Sequence, residues 1–156
     1  MTKTNNAGEH LATLLQQIGP IGADIVGLGT VHHAVIANRI KSLELYPGQE
    51  MMLLSLAEKQ PCSQNDLVKY LCVDHSTVTI SLARMEKSGL IVKEKSATDK
   101  RVTLVSLTSK GMALADEAKQ LLTQVEAQLT ANLSNDDLQV FSRVTRTIVD
   151  NLTHIK

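Results

Sequence analysis

The fold of this chain is decided by residues 63–111, SQNDLVKYLCVDHSTVTISLARMEKSGLIVKEKSATDKRVTLVSLTSKG. Ser63 is a capping residue that can open a short helix. Asp74 follows where a second helix can begin, and Gly89 is the expected stop of that helix. The stretch therefore predicts two short helices that are joined by a tight turn at 72–74.

Two β-strands are predicted after this helix pair. Residues 90–95 and 102–107 are rich in β-branched and apolar side chains, and the polar segment 96–101 between them is typical of a hairpin tip. Two helices, a tight turn and a hairpin together describe a winged helix-turn-helix, whose second helix enters the major groove of DNA. We call the hairpin the wing.

Candidate DNA-contacting residues lie at the start of the first helix, along the second helix and on the wing. Short hydroxyl side chains suit a helix that enters a groove, because they bond phosphate or base and allow close approach. A narrow minor groove attracts arginine. The predicted contacts are Ser63, Gln64, His75, Ser76, Thr77, Thr79, Ile80, Arg84, Lys87, Lys95, Lys100 and Arg101.

The charge of the chain is balanced overall but uneven along its length. The 156 residues include 16 basic and 16 acidic ones, which by itself argues against a nucleic-acid binder. Residues 66–111, however, contain eight basic and five acidic side chains, and the flanking segments are slightly acidic. We therefore expect specific binding through groove fit, with weak non-specific binding.

The composition excludes several other classes of protein. With 43% hydrophobic and 21% charged residues, the chain is neither a disordered tail, a disulfide-stapled miniprotein nor a collagen-like chain. It contains no nucleophile elbow, phosphate loop or metal-spaced His/Glu cluster, so we predict no enzymatic activity, no metal site and no cofactor. We find no signal peptide and no run of about 18 consecutive apolar residues, and expect a cytoplasmic protein without membrane contact.

From about residue 53 to residue 111 the sequence resembles the MarR-type regulators of multiple antibiotic resistance. The resemblance is carried by residues 63–67, 73–79, 82–91 and 99–111. The most specific part is the Asp-x-Arg pair of the wing combined with the Leu-Thr-x-x-Gly sequence that follows it.

This resemblance implies a mostly α fold with a small β-hairpin wing, in which Arg101 enters the minor groove and Asp99 helps to hold the hairpin. It implies a homodimer whose two lobes bind a palindromic operator in double-stranded DNA. Such proteins are mostly repressors released by small, often phenolic or anionic effectors. Within one structural domain we expect N-terminal helices over 1–46, the winged lobe over 47–110 and C-terminal dimerisation helices over 111–156.

Apolar stripes at both ends of the chain predict the dimer interface. The stripe over 115–129 steps by three and four residues, as in a coiled-coil seam, and one small lobe cannot cover all the terminal stripes. The glycine-rich segment 19–29 is compatible with a helix or with a mobile entry to a ligand cleft. The predicted dimerisation residues are Leu11, Leu14, Ile18, Leu122, Val125, Leu129, Phe141, Ile148 and Leu152.

Two other functions stay open at this point. The zero net charge and the apolar Ile80 also fit a protein-interaction module that keeps the winged fold without binding DNA. The third alternative is a thiol-based redox sensor that uses Cys62 or Cys72, although their spacing matches no known metal or redox motif.

Overall fold

A computed structural model describes Thr13, Leu15, Gln17 and residues 19–155 of the chain. As expected, the described residues are mostly helical with a small antiparallel sheet, so the predicted fold class is confirmed. The elements are α1 (Pro20–Arg39), a 3₁₀ turn (Ile40–Leu43), α2 (Gln49–Lys59), β1 (Cys62–Ser63), α3 (Gln64–Leu71), α4 (His75–Lys87), β2 (Ile91–Lys95), β3 (Thr103–Leu107), α5 (Ser109–Leu129) and α6 (Asn135–Thr153).

The two short helices begin and end at the predicted signals. Helix α3 opens with a capping box, in which the Ser63 hydroxyl accepts from the backbone N–H of Asp66 at 3.2 Å and the Asp66 carboxylate accepts from that of Ser63 at 2.9 Å. Asp74 is the N-cap residue of α4, but its side chain makes no capping bond. Gly89 follows the end of α4 with φ 70°, which suits glycine.

The sheet has three antiparallel strands in the order β1-β3-β2. Val105 lies opposite Lys93 on β2 and opposite Cys62 on β1. The hairpin of β2 and β3 was expected, whereas β1 was not, because its two residues are too few for an alternating pattern to show.

The core of the winged lobe lies between its helices and its sheet. Apolar side chains from α2, α3, α4 and the strands are excluded from solvent, which is the main favourable term in folding. The fully buried ones include Met52, Leu53, Leu56, Leu67, Val78, Leu82, Met85, Ile91 and Val105.

Helix α1 runs without a break through the glycine-rich segment, so this segment is a helix. Each glycine in a helix costs only about 1 kcal/mol relative to alanine, which a long helix can absorb. Most of its large apolar residues are exposed, including Ile21, Ile25 and Leu28.

The segment Pro20–Leu43 is long and apolar enough to span a bilayer by length and composition, with a mean hydropathy of 1.2. The sequence had suggested no such segment, because polar residues interrupt every apolar run and only the average is high. A single segment of this kind is weak evidence for a membrane, since the core helix of a soluble protein and a signal sequence pass the same test.

The chain divides into two compact units, one ending at Leu122 and the other beginning at Thr123. In the second unit, α5 ends at Leu129 and a turn precedes α6. Helix α6 begins with its own capping box, in which Ser134 accepts from the Asp137 N–H at 3.2 Å.

Candidate nucleic-acid interface

Helix α4 exposes one side that lies opposite its buried residues. Successive residues are about 100° apart around a helix axis, so four exposed positions lie nearest to the direction opposite the buried Val78, Leu82 and Met85. Two of the four have very short side chains, which allows close approach to a second surface. We call these four residues the outward face of α4: Ser76, Ile80, Ala83 and Lys87.

Gln64 connects the start of α3 to the start of α4. Its Nε2 donates to the Thr79 hydroxyl and lies 3.4 Å from His75 Nδ1 and 3.5 Å from the His75 carbonyl oxygen. The Thr79 hydroxyl donates in turn to the His75 carbonyl at 2.8 Å. Three of the predicted contact residues thus form one polar cluster. The Thr79 hydroxyl already donates its hydrogen to a carbonyl of the same helix.

Ser63 is committed to the start of α3. Its hydroxyl donates to the Asp66 carboxylate at 2.6 Å, in addition to accepting the capping bond. The side-chain and backbone hydrogen bonds from Ser63 lower the pKa of Asp66 below its ordinary value. A DNA contact from the Ser63 hydroxyl would therefore compete with the capping box.

Arg84 lies beside the outward face and stacks on an aromatic ring. Its guanidinium carbon is 4.7 Å from the centroid of Tyr46, which precedes α2 and is itself 57% exposed. The contact of Tyr46 with α4 was not predicted from the sequence, because no local spacing relates Tyr46 to this helix. Thr77 is also exposed on this side of the helix.

Asp99 and Arg101 pair at the tip of the wing. The Asp99 carboxylate accepts from the Arg101 backbone N–H at 2.9 Å and from its guanidinium at 3.2 and 3.3 Å. These hydrogen bonds lower the pKa of the Asp99 carboxyl below its ordinary value. The bonds from the Arg101 side chain contribute most, and the bond from its backbone N–H contributes next. The Arg101 side chain is still 92% exposed, so the guanidinium is oriented and accessible at once.

Ser96 holds the turn at the wing tip and was also missed from the sequence. It is buried, and its hydroxyl lies 3.0 Å from that of Thr98 and accepts from the backbone N–H groups of Thr98 and Asp99 at 3.3 and 3.4 Å. A serine at the end of a strand before a polar turn is a typical signal for such bonds.

The basic residues of the wing are arranged along the hairpin. Lys95 donates to the Thr103 hydroxyl across the strands at 3.1 Å, while Lys100 is exposed at the tip. Lys93 on β2 donates to Glu86 on α4 at 2.6 Å, so an ion pair connects the wing to the helix.

The exit from the wing packs on the end of α4. The Thr108 hydroxyl donates to the Gly89 carbonyl at 2.7 Å and accepts from the Gly111 N–H at 3.0 Å. Lys110 donates to the Ser88 carbonyl at 3.0 Å. The Leu-Thr-x-x-Gly sequence thus has a structural role, because it attaches the start of α5 to the end of α4.

The cysteines differ in their surroundings, and both are free. Cys62 is buried in β1, and this burial, followed by the negative charge of Asp66, raises the pKa of its thiol. A raised pKa disfavours the reactive thiolate. Cys72 is exposed at the turn between α3 and α4. The environment of Cys62 therefore does not favour a redox sensor.

The six predicted dimerisation residues that the structure describes fall into three groups by exposure. Leu129, Phe141 and Leu152 expose 44%, 56% and 59% of their surface, whereas Val125 is buried. Leu122 and Ile148 are half-buried. The remaining three, Leu11, Leu14 and Ile18, lie outside the described residues.

Part of the winged lobe is similar to a known protein family. Residues 45–103 match the sequence model of the MarR family, a span that runs from the segment before α2 into the wing. The fold also matches an E. coli MarR mutant complexed with operator DNA, at 25% identity and a TM-score of 0.79, over 86% of this chain and 97% of that one. The chain thus resembles MarR transcriptional regulators, in sequence over residues 45–103 and in fold over most of its length.

Other MarR structures share the fold. A putative MarR family regulator from Listeria monocytogenes, complexed with a 26mer DNA, is 23% identical with a TM-score of 0.74, over 83% of this chain and 86% of that one. A MarR regulator from Methanosarcina mazei Go1 is 20% identical with a TM-score of 0.74, over 86% and 98%. The MarR family consists of transcriptional regulators, which are not enzymes.

Proposed function

We propose that this protein is a homodimeric repressor of the MarR type, which binds a palindromic operator in double-stranded DNA and leaves it when a small-molecule effector binds. The observation that carries the proposal is the combination of the outward face of α4 with the exposed, oriented Arg101 of the wing in one lobe. The E. coli and Listeria proteins with this fold were crystallised with DNA, which supports the proposal.

In this proposal each lobe contacts both grooves. The outward face of α4 enters the major groove, and its small residues let the helix approach the base edges. The wing lies over the minor groove, where Arg101 is attracted by the negative potential. Lys87, Lys95 and Lys100 then lie beside the phosphates, which adds a salt-dependent contribution to affinity.

Dimerisation would be carried by the helices that flank the lobe. Leu129, Phe141 and Leu152 expose about half of their apolar surface in the single chain, and such surface favours a protein partner. A symmetric homodimer is the commonest assembly, and its twofold symmetry matches a palindromic site. We therefore assign residues 1–46 and 111–156 to the dimer interface and residues 47–110 to the DNA-binding lobe.

The repressor role and the effector are supported by the family resemblance. The dimer can adopt conformations in which the distance between its two lobes does not match the two half-sites. An effector that binds such a conformation more tightly than the DNA-binding conformation releases the DNA. A panel of small phenolic and carboxylate compounds, added to the operator complex, should contain members that lower operator affinity. Failure of every member would remove phenolic and carboxylate effectors from the proposal.

A gel-shift series with DNA from upstream of the protein's own gene tests DNA binding. We expect a palindromic footprint, and Arg101→Ala should weaken binding and reduce the salt dependence by about one counterion per wing. Arg101→Lys is the matched variant, because lysine keeps the positive charge but lacks the planar guanidinium. We expect this variant to keep the salt dependence of the wild type.

The outcomes separate the alternatives. Absence of any sequence-selective binding at low salt, with genomic fragments as probes, would overturn the proposal and favour the protein-interaction module. Unchanged affinity in Arg101→Ala, with a normal footprint, would remove the wing from the proposed interface.

A further inference from the structure

Ile80 is an exposed apolar residue at the centre of a surface that is otherwise small or polar. It exposes 54% of its surface, while Val78 and Leu82 on the same helix are buried. On the outward face it follows Ser76 by one turn and precedes Ala83 by another. Neither neighbour is long enough to cover it, so Ile80 projects furthest from the middle of the face.

Two of the polar side chains next to Ile80 already make other contacts. The Thr79 hydroxyl bonds to the His75 carbonyl and to Gln64. The Arg84 guanidinium stacks on Tyr46. The centre of the face therefore presents a branched hydrocarbon and no long donor or acceptor to a base edge.

The major groove of DNA offers one apolar group to such a side chain, which is the 5-methyl group of thymine. We propose that Ile80 is a specificity-determining residue that contacts the 5-methyl group of one pyrimidine in each half-site. This inference rests on the proposed function, since it requires α4 to enter the major groove. It goes further by stating which base feature the helix recognises and through which residue.

The same chemistry makes a prediction about modified DNA. Deoxyuridine pairs like thymidine but lacks the methyl group, whereas 5-methylcytosine carries it on a different base. Removal of one buried methyl group should weaken binding about fourfold per half-site, and about fifteenfold for both half-sites together. At the same position, 5-methylcytosine should bind more tightly than cytosine.

The experiment uses the full-length protein and the operator defined by footprinting. A series of duplexes carries deoxyuridine in place of each symmetric pair of thymidines in turn, and the dissociation constant is measured for each. A second pair of duplexes compares cytosine with 5-methylcytosine at the sensitive position. The proteins are the wild type, Ile80→Ala and Val92→Ala, the last being a matched truncation of an exposed apolar residue on β2.

We expect one thymidine pair to be sensitive in the wild type and in Val92→Ala. In Ile80→Ala, deoxyuridine at this pair should cause no further loss, because the contact is already gone. Circular dichroism checks that the variants keep their fold.

Three results would overturn the inference. A wild-type series with specific binding but no sensitive pair would show that no methyl group is contacted. A loss that persists in Ile80→Ala would assign the methyl contact to another residue. Absence of specific DNA binding would overturn the proposed function and this inference with it, so the two failures are distinguishable.

Discussion

The guanidinium of Arg84 lies over the ring of Tyr46, 4.7 Å from its centroid. This contact joins helix α4 to the segment that precedes α2. A cation–π contact at an exposed site stabilises by about 0.5–1 kcal/mol. It also limits where the arginine can reach, so Arg84 is held at the edge of the outward face.

A double-mutant cycle tests this pairing. Tyr46→Leu and Arg84→Ala, alone and combined, should show a coupling of about 0.5–1 kcal/mol in the free energy of unfolding, because each removes the same contact. Tyr46→Phe keeps the ring and should keep the coupling. The measurement is urea unfolding at a fixed protein concentration, and strictly additive effects would contradict the contact.

Gly111 is required by the packing of α5 on the end of α4. A Cβ atom at this position would collide with the carbonyl oxygen of Leu90 and would lie 3.0 Å from its carbonyl carbon. Gly111→Ala should therefore lower the free energy of unfolding by about 1–3 kcal/mol, although alanine is the better helix former.

Gly29→Ala in α1 is the matched control for this substitution. No atom lies within 4 Å of the position that its Cβ would occupy, so we expect the same or a higher free energy of unfolding. Equal effects of the two substitutions would show that the Leu90 carbonyl does not constrain Gly111.

The capping box of α3 makes the stability of the lobe depend on pH. Hydrogen bonds from Ser63 lower the pKa of Asp66 in the folded protein, so its stabilisation is complete above the unfolded value of about 3.9 and is lost as the pH falls below it. Asp66→Asn cannot titrate. The stability advantage of the wild type over this variant should therefore shrink as the pH falls from about 4 through the lowered pKa of folded Asp66.

The measurement is chemical unfolding of both proteins across that pH range. Asp74→Asn is a useful control, because the Asp74 side chain makes no capping bond and its replacement removes one carboxylate of the same helix pair. A difference between wild type and Asp66→Asn that stays constant with pH would contradict the assignment.

The parts of the fold that follow from short-range signals were predictable from the sequence. The Ser63 cap, the Gly89 stop and the hairpin each depend on residues within a few positions of one another. Strand β1 and the contact between Tyr46 and Arg84 depend on residues far apart in the chain, and no local pattern indicates them. Helix α1 was uncertain because its glycines weaken a helix without forbidding it.

The candidate site shows the same division. The list of contact residues came from their position in the motif, and the exposure of His75, Ser76 and Thr77 agrees with a surface role. Their hydrogen-bonding state could not be inferred, because Gln64 reaches Thr79 only after α3 and α4 have packed. This bonding state, rather than residue type alone, decides which side chains are available to a base.

The buried hydroxyl of Ser96 accepts hydrogen bonds from two backbone N–H groups of the wing tip. Ser96→Ala removes this acceptor and should loosen the tip without unfolding the lobe, because the strand pairing of β2 and β3 is unaffected. Trypsin cleaves after basic residues and should therefore cut after Lys100 and Arg101 several times faster in this variant, as followed by mass spectrometry. Ser106→Ala, on β3, is the matched control and should leave the rate unchanged. Equal rates in all three proteins would show that Ser96 does not order the wing tip.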